Sequence, residues 1–324
     1  MKKPLLSVCI ATYNRAEYIG KTLESIIPQL TDEVEIVIAD GASTDNTSRV
    51  VKHYAEACKQ INYIQLPSKG GVDQDYCKAV ELANGEYCWL FTDDDLIQPM
   101  AISTALNEIL KGYSLIIVNA QVMNKDLTKV ISSNILRIKT NEIYEESKLE
   151  QLFQRVIPYI SFIGCVIINR ALWLQREKNR YYGTEFIHVG VVFQAPLPTP
   201  ALVIADPHIT SRFGNAHWTA RSFDIWMHKW PKLIYSFKNI SEQVRRKCQR
   251  RQSWSRLKDL IIYRAKGKFS LREYRKVLAP EDSALWWKTI TLIVAITPCI
   301  SAELAIILYL KTLKTLITNK KYFA

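Results

Sequence analysis

The sequence contains little glycine and proline, and it lacks the glycine-rich motifs of phosphate-binding loops. Its 324 residues include 11 glycines and 12 prolines, and they contain no internal repeat or low-complexity tract. No G-x-G-x-x-G follows the first apolar segment and no G-x-x-x-x-G-K-[ST] is present, so the usual dinucleotide and P-loop cradles are missing. With 48% apolar residues, the chain has enough material for the core of one large domain or two modest ones.

The seven cysteines are scattered, and none of them forms a C-x-x-C pair. Several lie inside apolar runs, where cysteine behaves as a small hydrophobe. This pattern argues against a disulfide framework and favours a reducing compartment. The N-terminal stretch "MKKPLLSVCIATYNR" starts with basic residues, but its apolar run is short. We therefore interpret it as a first strand and not as a signal peptide.

Charge is distributed unevenly along the chain. Residues 221–324 hold 22 of the 43 Lys and Arg but only 7 of the 31 Asp and Glu, a net charge of +15. Residues 1–220 are weakly acidic, with a net charge of −3. Basic segments of this kind bind anionic surfaces such as phospholipid or nucleic acid.

Short apolar runs alternate with segments of helical periodicity in the first third of the chain. The predicted strands are residues 5–11, 34–39, 61–66, 86–91 and 114–120. This alternation predicts an α/β fold with a mostly parallel sheet and helices on both faces. Ligands of such sheets bind beyond the carboxyl ends of the strands. The polar residues at these ends are Thr12, Tyr13, Arg15, Asp40, Ser43, Asp93, Asp94 and Asp95.

Three consecutive aspartates follow the buried run in "GEYCWLFTDDD". Because side chains alternate along an extended backbone, Asp93 and Asp95 can face one point while Asp94 turns away. Such oxygen ligands suit Mg²⁺ or Mn²⁺, which would bridge the protein to a diphosphate and stabilise its negative charge as it leaves. The alternative is that "TDDD" caps the next helix.

The motifs "SVCIATYNR", "VEIVIADGASTDNT" and "GEYCWLFTDDD" resemble, in order and spacing, nucleotide-sugar glycosyltransferases of family 2, which have the GT-A fold. The resemblance covers roughly residues 5–120. It implies that the donor nucleotide contacts Thr12, Tyr13, Arg15 and Asp40, that Asp93 and Asp95 hold the metal and diphosphate, and that Asp94 lies near the ribose or sugar. The segment "GGVDQDYCKAVEL" has Lys78 where the family commonly has an arginine, which implies a cation near the diphosphate.

Two of these residues have structural alternatives. Tyr13 can stack on a base, or its ring can serve ordinary packing at the end of the strand. Asp40 can accept an N–H from a pyrimidine, or it can cap the helix that follows "DGASTDNT".

The second half of the chain is expected to contain the residues that bind the acceptor. A strand is predicted over residues 161–170, and "GTEFIHVGVVFQA" brings in Glu185. The resemblance implies that Glu185 is the catalytic base, although Phe186 replaces the second acid of the family's Glu-Asp pair; the alternative is a helix cap. In "ITSRFGNAHWTARS", Arg212 is a candidate diphosphate ligand and Trp218 a candidate sugar-stacking residue. His217 is a candidate metal ligand or a structural residue, and His188 is expected to be a hydrogen-bonded core residue.

Residues 284–311 form a long apolar segment that Lys288, Pro298 and Glu303 interrupt. We expect a broken pair of helices lying in the membrane interface, with a true span and a soluble or dimer-forming helix pair as alternatives. The basic residues between 245 and 276 would add attraction to anionic lipid. Nucleic acid competes as the partner of this segment, but the adjacent apolar stretch and the absence of a nucleic-acid motif count against it.

These observations predict three regions: a nucleotide-sugar-binding half (1–120), an acceptor-binding half (121–220), and a basic, helical, membrane-associating segment (221–324). The resemblance extends to the abequosyltransferase-like branch of family 2, which implies a CDP-3,6-dideoxyhexose donor such as CDP-abequose. A sugar-nucleotide site joined to a membrane-associating segment predicts a lipid-linked acceptor, such as a glycan on undecaprenyl diphosphate in O-antigen synthesis, at the cytoplasmic face of the inner membrane.

Alternative functions are a family 2 enzyme that uses a UDP-, GDP- or dTDP-sugar and a catalytically silent scaffold protein. A nucleotidyltransferase is a further alternative, but "ATYNRAEY" lacks the Gly-rich basic loop that such enzymes need after the first strand.

Overall fold

The computed structural model describes residues 3–215, 221–249 and 256–307. The chain forms two units, Met1–Asn215 with Phe237–Cys248, and Ala216–Ser236 with Gln249–Ala324. The division at residues 120 and 220 stays a prediction.

The first unit is built on a ten-stranded mixed sheet with helices on both sides. Its strands are β1 Leu6–Thr12, β2 Val34–Asp40, β3 Ile61–Gln65, β4 Tyr87–Phe91, β5 Leu96–Ile97, β6 Leu115–Asn124, β7 Val130–Ser132, β8 Glu142–Tyr144, β9 Val166–Asn169 and β10 Ala201–Phe213. The order is β3-β2-β1-β4-β9-β6-β10-β5, with β7 paired to β6 and β8 to β10. The first four strands are parallel, as expected, whereas β9 runs antiparallel to both β4 and β6.

The helices are numbered in chain order through both units. They are α1 Ile19–Ile26, α2 Thr47–Ala57, α3 Val72–Leu82, α4 Ala101–Ile109, α5 Leu149–Val156, α6 Arg170–Gln175, α7 Ile187–Phe193, α8 Ser222–Asp224, α9 Trp230–Ser236, α10 Glu242–Cys248, α11 Leu257–Ala265, α12 Leu271–Glu273, α13 Leu285–Ile296 and α14 Cys299–Ile307. Single π-helical turns follow α8 (Ile225–Lys229) and α12 (Tyr274–Leu278).

The central strands are buried on both faces, which explains why β1, β2 and β4 are nearly continuous apolar runs. In the parallel register Thr12 is level with Asp40, and Phe91 at the end of β4 is level with Ile10. The polar residues that follow these strands therefore meet at one edge of the sheet. This edge is the one at which the sequence predicts the ligand site.

The strand predicted over residues 161–170 is shorter in the structure. Only Val166–Asn169 is extended, and Ile163–Cys165 forms a 3₁₀ turn. The turn is held from outside the segment, because the Trp89 indole Nε1 donates to the Gly164 carbonyl at 2.8 Å. A side chain at Gly164 would clash, since its Cβ would lie 2.6 Å from the Phe162 ring.

The segment Phe237–Cys248 belongs to the first unit although it follows part of the second in sequence. The Phe237 ring packs against those of Phe153 and Phe193, with both pairs of centroids 6.1 Å apart, and Phe153 and Phe193 meet edge to face at 5.0 Å. Aromatic clusters of this geometry stabilise a packed core beyond their buried area. All seven cysteines lie within the described residues and carry free thiols, which confirms the expectation of no disulfide framework.

The second unit is helical, and a small apolar cluster forms its core. Its buried members are Phe223, Leu260, Phe269, Val277, Leu278 and Ala295. Lys276 from the π-helical turn forms an ion pair with Asp224 at 2.6 Å.

The long apolar segment is broken, as the sequence predicts. Helix α13 and helix α14 meet at an angle of 104°, and Pro298 lies between them. Within the described residues no single helix has the length and apolar character to cross a membrane, although this bent pair passes that test by length and composition.

Candidate active site

A network of short polar side chains joins the loops that follow β1 and β2. The Gly41 amide donates to the Thr12 carbonyl at 2.9 Å, which ties the two strand ends together. The Asn14 amide donates to Ser43 Oγ at 2.9 Å, and Asn14 Oδ1 accepts from the Thr44 amide at 2.8 Å. Asn14 adopts a positive φ of 54°, which asparagine tolerates better than most residues. Ser43 therefore supports the loop that presents Arg15.

Arg15 forms an ion pair with two of the three aspartates. Its Nε lies 3.3 Å from Asp93 Oδ1, and its Nη2 lies 3.4 Å from Asp94 Oδ2. The Arg15 Nη1 donates to the Asn215 carbonyl at 3.1 Å, and the Asn215 side-chain amide donates to Asp94 Oδ2 at 2.7 Å. Residues from three distant parts of the chain thus meet at the end of β4.

Asp95 is held separately from the other two acids. Its Oδ1 accepts from the Arg212 amide at 2.6 Å, and its Oδ2 accepts from the Thr92 hydroxyl at 2.6 Å. The Asp95 carbonyl also accepts from the Thr22 hydroxyl at 2.8 Å. The chain bends at Asp93 and Asp94, so the alternation of an extended strand does not apply there, and the pairing of Asp93 with Asp95 toward one point stays a prediction.

Burial and mutual repulsion raise the pKa values of the three acids. Burial is the main cause and the Asp94 charge the second, and together they raise the pKa of Asp93 to about 7, even though the Arg15 guanidinium lowers it. The same two causes raise the pKa of Asp95 to about 8. Burial also raises the pKa of Asp94, against the opposing effect of Arg15. The three acids therefore hold their protons more tightly than free aspartates do, because their ionised forms are poorly solvated and repel one another.

The donor chemistry of this cluster fits a hard divalent cation. Carboxylate oxygens are the ligands that Mg²⁺ and Mn²⁺ prefer, and Mg²⁺ usually takes only one or two of them and fills its shell with water and phosphate. Over residues 3–215, 221–249 and 256–307, no three His, Cys, Asp or Glu side chains form a metal-binding group on their own. His217 and Trp218, the candidate third metal ligand and sugar-stacking residue, lie outside the described residues.

Arg212 lies beside the triplet, and its guanidinium donates to main-chain carbonyls. Its Nε donates to the Asp94 carbonyl at 2.9 Å, and its Nη1 donates to the Lys125 carbonyl at 2.5 Å. The Arg212 Nη2 is buried and has no hydrogen-bond partner among the described residues. One buried N–H group of the Arg212 guanidinium therefore has no acceptor within the described residues.

Tyr13 and Asp40 lie at the ends of β1 and β2, where the resemblance implies a nucleoside. The Lys69 ammonium lies over the Tyr13 ring, 3.5 Å from its centroid. Asp40 is fully buried; its Oδ1 accepts from the Ser43 amide at 2.8 Å and its Oδ2 from the Tyr63 hydroxyl at 2.7 Å. Asp40 thus has the contacts of a residue that braces the strand end.

Glu185 adopts a positive φ of 72°, a strained conformation for a residue with a long side chain. The Asp73 carboxylate holds this turn, because Oδ2 accepts from the Glu185 amide at 2.9 Å and Oδ1 from the Ile187 amide at 3.0 Å. Burial is the main cause that raises the pKa of Asp73 to about 6. A buried acid 112 positions away in sequence therefore fixes the backbone at the expected catalytic base.

Lys78, a candidate donor ligand, and His188, an expected core residue, contact other parts of the protein. Lys78 is half-exposed on α3 and pairs with Glu81 at 3.3 Å, and no contact among the described residues joins it to the triplet. His188 is buried on α7 with Nε2 2.7 Å from the Ile160 carbonyl, and burial lowers its pKa to about 4. The expectation of a hydrogen-bonded core histidine is confirmed.

The sequence interpretation missed Asp73, Asp75 and Asn215. The first two lie in the first turn of α3, in the stretch "GGVDQD", and both are buried. Acids in a first helical turn usually interact favourably with the helix dipole, so the sequence did not mark Asp73 and Asp75 as site residues. Asn215 contacts Asp94 only because β10 ends beside the triplet.

Comparison with known proteins places this geometry in context. The sequence model described as "Glycosyl transferase family 2" matches residues 7–173, just over half of the chain. The abequosyltransferase RfbV of Salmonella typhimurium is 26% identical over 206 residues, which cover 59% of this chain and 62% of that protein. A GalNAc(5)-diNAcBac-PP-undecaprenol beta-1,3-glucosyltransferase of Campylobacter jejuni is 29% identical and covers 56% of this chain and 57% of that one. The alignments thus span less than two thirds of each relative.

Solved structures agree with the fold. The S. aureus TarS 1-349 complex with UDP superposes with a TM-score of 0.60 at 20% identity, over 84% of this chain and 77% of that one. The complex of the same protein with UDP-GlcNAc gives a TM-score of 0.56 at 20% identity, over 75% and 70% of the two chains. The similarity at this level of identity concerns the GT-A fold.

Proposed function

Because the chain belongs to glycosyl transferase family 2, we propose that it transfers a sugar from a nucleotide-sugar donor to a lipid-linked glycan in the synthesis of a bacterial surface polysaccharide such as O-antigen. The observation that carries the proposal is the triplet of the buried Asp93 and Asp95 with the partly buried Asp94, which lies at the carboxyl edge of the sheet between Arg15 and Arg212. An acidic cluster with adjacent guanidinium groups suits a cation and a diphosphate together.

The donor occupies the edge formed by β1, β2 and β4 in this proposal. UDP and UDP-GlcNAc are bound in the TarS structures that share the fold, which supports a nucleotide sugar as the class of donor. The likeness to an abequosyltransferase supports a CDP-3,6-dideoxyhexose such as CDP-abequose, with UDP-, GDP- and dTDP-sugars as alternatives. The proposed donor ligands are Thr12, Tyr13, Arg15, Asp40, Ser43, Lys78, Asp93, Asp94 and Arg212.

A divalent cation, Mg²⁺ or Mn²⁺, completes the site in this proposal, with Asp93 and Asp95 as its protein ligands. Bound there, it would neutralise the donor diphosphate and stabilise the charge that develops on the leaving group. In this proposal Arg15 orients Asp93 and Asp94. The Arg212 guanidinium, whose buried Nη2 has no partner among the described residues, binds a phosphate oxygen.

Glu185 is the proposed general base. A sugar hydroxyl is a poor nucleophile and must lose its proton as it attacks the anomeric carbon. The Asp73 carboxylate fixes the backbone on both sides of Phe186 through the amides of Glu185 and Ile187. Precise placement of a base relative to the acceptor is a large part of its effect on the rate.

The proposed acceptor is a glycan on undecaprenyl diphosphate, at the cytoplasmic surface of the inner membrane. The C. jejuni relative carries an undecaprenol-linked acceptor in its name, which supports this class. In the second unit, apolar side chains of α13 and α14 are exposed, namely Leu285, Trp286, Ile293, Ile296, Ile300, Leu304 and Ile307. With the net charge of +15 over residues 221–324, they suit an anionic membrane interface.

The function is tested by incubating the full-length protein with CDP-, UDP-, GDP- and dTDP-sugars, with Mn²⁺ or with EDTA, and with a mixed undecaprenyl-diphosphate glycan acceptor. We expect transfer, or slow hydrolysis without acceptor, from one nucleotide class only, and loss of both in Asp95→Ala and Glu185→Gln. Glu185→Gln should retain donor binding, whereas Asp95→Ala should lose it. A wild-type protein that binds a nucleotide sugar but never breaks the glycosidic bond would establish the scaffold alternative.

A further inference from the structure

The Tyr18 ring lies among three cationic side chains beside the aspartate triplet. Its centroid is 5.2 Å from the guanidinium carbon of Arg212, 5.7 Å from that of Arg15 and 5.9 Å from the Lys125 ammonium. A cation within about 6 Å of a ring centroid is attracted by the negative face of the ring, and significant contacts of this kind occur roughly once in 70–80 residues. Three of them on one ring, from three separate parts of the chain, exceed what ordinary packing explains.

Two of the three contacts are shielded from water. Tyr18 and Arg212 are buried, and the Arg15 side chain is 12% exposed. The Lys125 side chain is 48% exposed, so its contact with the ring is screened by solvent. Because a cation–π contact strengthens as its partners lose water, the two arginines account for most of the attraction to the ring.

Both guanidinium groups also contact the triplet. Arg15 forms ion pairs with Asp93 and Asp94, and the Arg212 Nε donates to the Asp94 carbonyl. Two like charges gathered at one place repel each other, and a long arginine side chain has many rotamers that would relieve this repulsion. The Tyr18 ring offsets part of the repulsion, because its face attracts both cations.

The backbone fixes the Tyr18 ring relative to Arg15. Tyr18 immediately precedes α1, and its amide donates to the Arg15 carbonyl at 2.9 Å. The Tyr18 carbonyl accepts from the Thr22 amide at 3.3 Å, at the start of that helix. The ring and Arg15 thus belong to one hydrogen-bonded turn, and Arg212 reaches the same ring from β10.

We propose that Tyr18 is a positioning residue of the donor site, whose ring holds the Arg15 and Arg212 guanidinium groups where both serve a diphosphate and its divalent cation. The inference rests on the proposed function and adds to it a residue that acts through the two arginines. Arginines already ordered by a ring lose less side-chain entropy when a diphosphate binds, which increases the affinity. This role requires the electron-rich face of the ring and not only its shape.

The test measures the binding of inorganic pyrophosphate with Mn²⁺ to the full-length protein by calorimetry, which is independent of the donor's base and sugar. Tyr18→Leu should bind pyrophosphate about tenfold or more weakly than wild type, because both guanidinium groups lose their attraction to the ring. Tyr18→Phe keeps the ring and should bind within about twofold of wild type. A Tyr18→Phe variant as weak as Tyr18→Leu would assign the effect to the hydroxyl and overturn the role of the ring.

Fluorination separates the charge distribution of the ring from its shape. Trifluorophenylalanine in place of Tyr18 fills nearly the same space as phenylalanine, but its fluorines withdraw electron density and weaken the attraction for cations. We expect its affinity for pyrophosphate to fall toward that of Tyr18→Leu, while its melting temperature stays near that of Tyr18→Phe. An affinity equal to that of Tyr18→Phe would show that the ring acts by packing alone, which would also overturn the proposal.

Tyr87→Leu is the matched control for lost packing. Tyr87 is buried at the start of β4, whereas the triplet follows the end of that strand. This variant should lower the melting temperature as Tyr18→Leu does, and it should keep the wild-type affinity for pyrophosphate. A comparable loss of affinity in Tyr87→Leu would mean that any weakened core disturbs the site, and Tyr18 would then have no special role.

The outcomes also separate this inference from the proposed function. Equal affinities for pyrophosphate in wild type and Tyr18→Leu would refute the inference alone. A wild type that binds neither pyrophosphate nor any of the nucleotides CDP, UDP, GDP and dTDP in the presence of Mn²⁺ would refute the proposed function as well.

Discussion

The Arg15 guanidinium bridges Asp93 and Asp94, with Nε 3.3 Å from one carboxylate and Nη2 3.4 Å from the other. The pair is largely buried, so its charges are poorly screened by solvent. Arg15 is the residue that lets two adjacent acids coexist at the end of β4. In the proposed reaction the same guanidinium shares these acids with the donor's cation.

Replacing Arg15 with methionine should destabilise the protein by about 3 kcal/mol, because it leaves two buried acids without their counter-charge. Mn²⁺ should then raise the melting temperature more in Arg15→Met than in wild type, since the cation replaces the lost charge. Thermal unfolding with and without Mn²⁺ measures both effects. Lys21→Met, an exposed cation on α1, is the matched control and should behave as wild type.

Stability without divalent cations should fall as the pH rises from about 4 to 8. The pKa values of Asp93 and Asp95, about 7 and about 8, lie above the usual value of 3.8, so the folded state holds these protons more tightly than the unfolded state does. Ionisation of the two acids above their unfolded pKa therefore costs stability until the pH passes the folded values. Melting curves in EDTA check this, and Asp95→Asn should flatten the slope between pH 6 and 8. An identical slope in the variant would contradict the assignment.

Asp73→Asn should lower kcat by about tenfold, ~1.4 kcal/mol, and leave nucleotide affinity unchanged. The asparagine oxygen can accept from the amide of Glu185 or of Ile187, but its NH₂ group repels the other, so the turn loses one of its two bonds. Steady-state kinetics and nucleotide titration measure the two effects separately. A loss confined to nucleotide affinity would show that Asp73 serves the donor side.

Membrane binding should depend on the exposed apolar residues of α13 and α14. Replacing Ile293, Ile296 and Ile300 with asparagine should weaken binding to vesicles of anionic phospholipid roughly a hundredfold or more, because three side chains no longer leave water. Flotation of the full-length protein with vesicles measures this. Asparagine at Val130 and Ile131, exposed on β7 of the first unit, is the control and should float as wild type does.

The fold of the first 120 residues was predictable because its signals are local. The run "VEIVIA" is apolar except for Glu35, since the central strands are covered on both faces. The observed β2, Val34–Asp40, differs from the predicted strand by one residue. The length of the strand at 161–170 was overestimated in the sequence analysis. Trp89, which is far away in sequence, donates to the Gly164 carbonyl and supports a turn there. Long-range contacts of this kind leave no mark in the local pattern.

The sequence by itself determined which acids and arginines end the strands, since strand and helix patterns place them at one edge of a parallel sheet. Only the tertiary structure decided how they pair: a bend at Asp93 and Asp94 turned both acids to Arg15, and β10 brought the Arg212 amide to Asp95. It also engaged both carboxylate oxygens of Asp40, one with the Ser43 amide and one with the Tyr63 hydroxyl. The physical reason is that hydrogen bonds are directional and short, so partners depend on loop geometry to within an ångström, whereas burial of an apolar run does not.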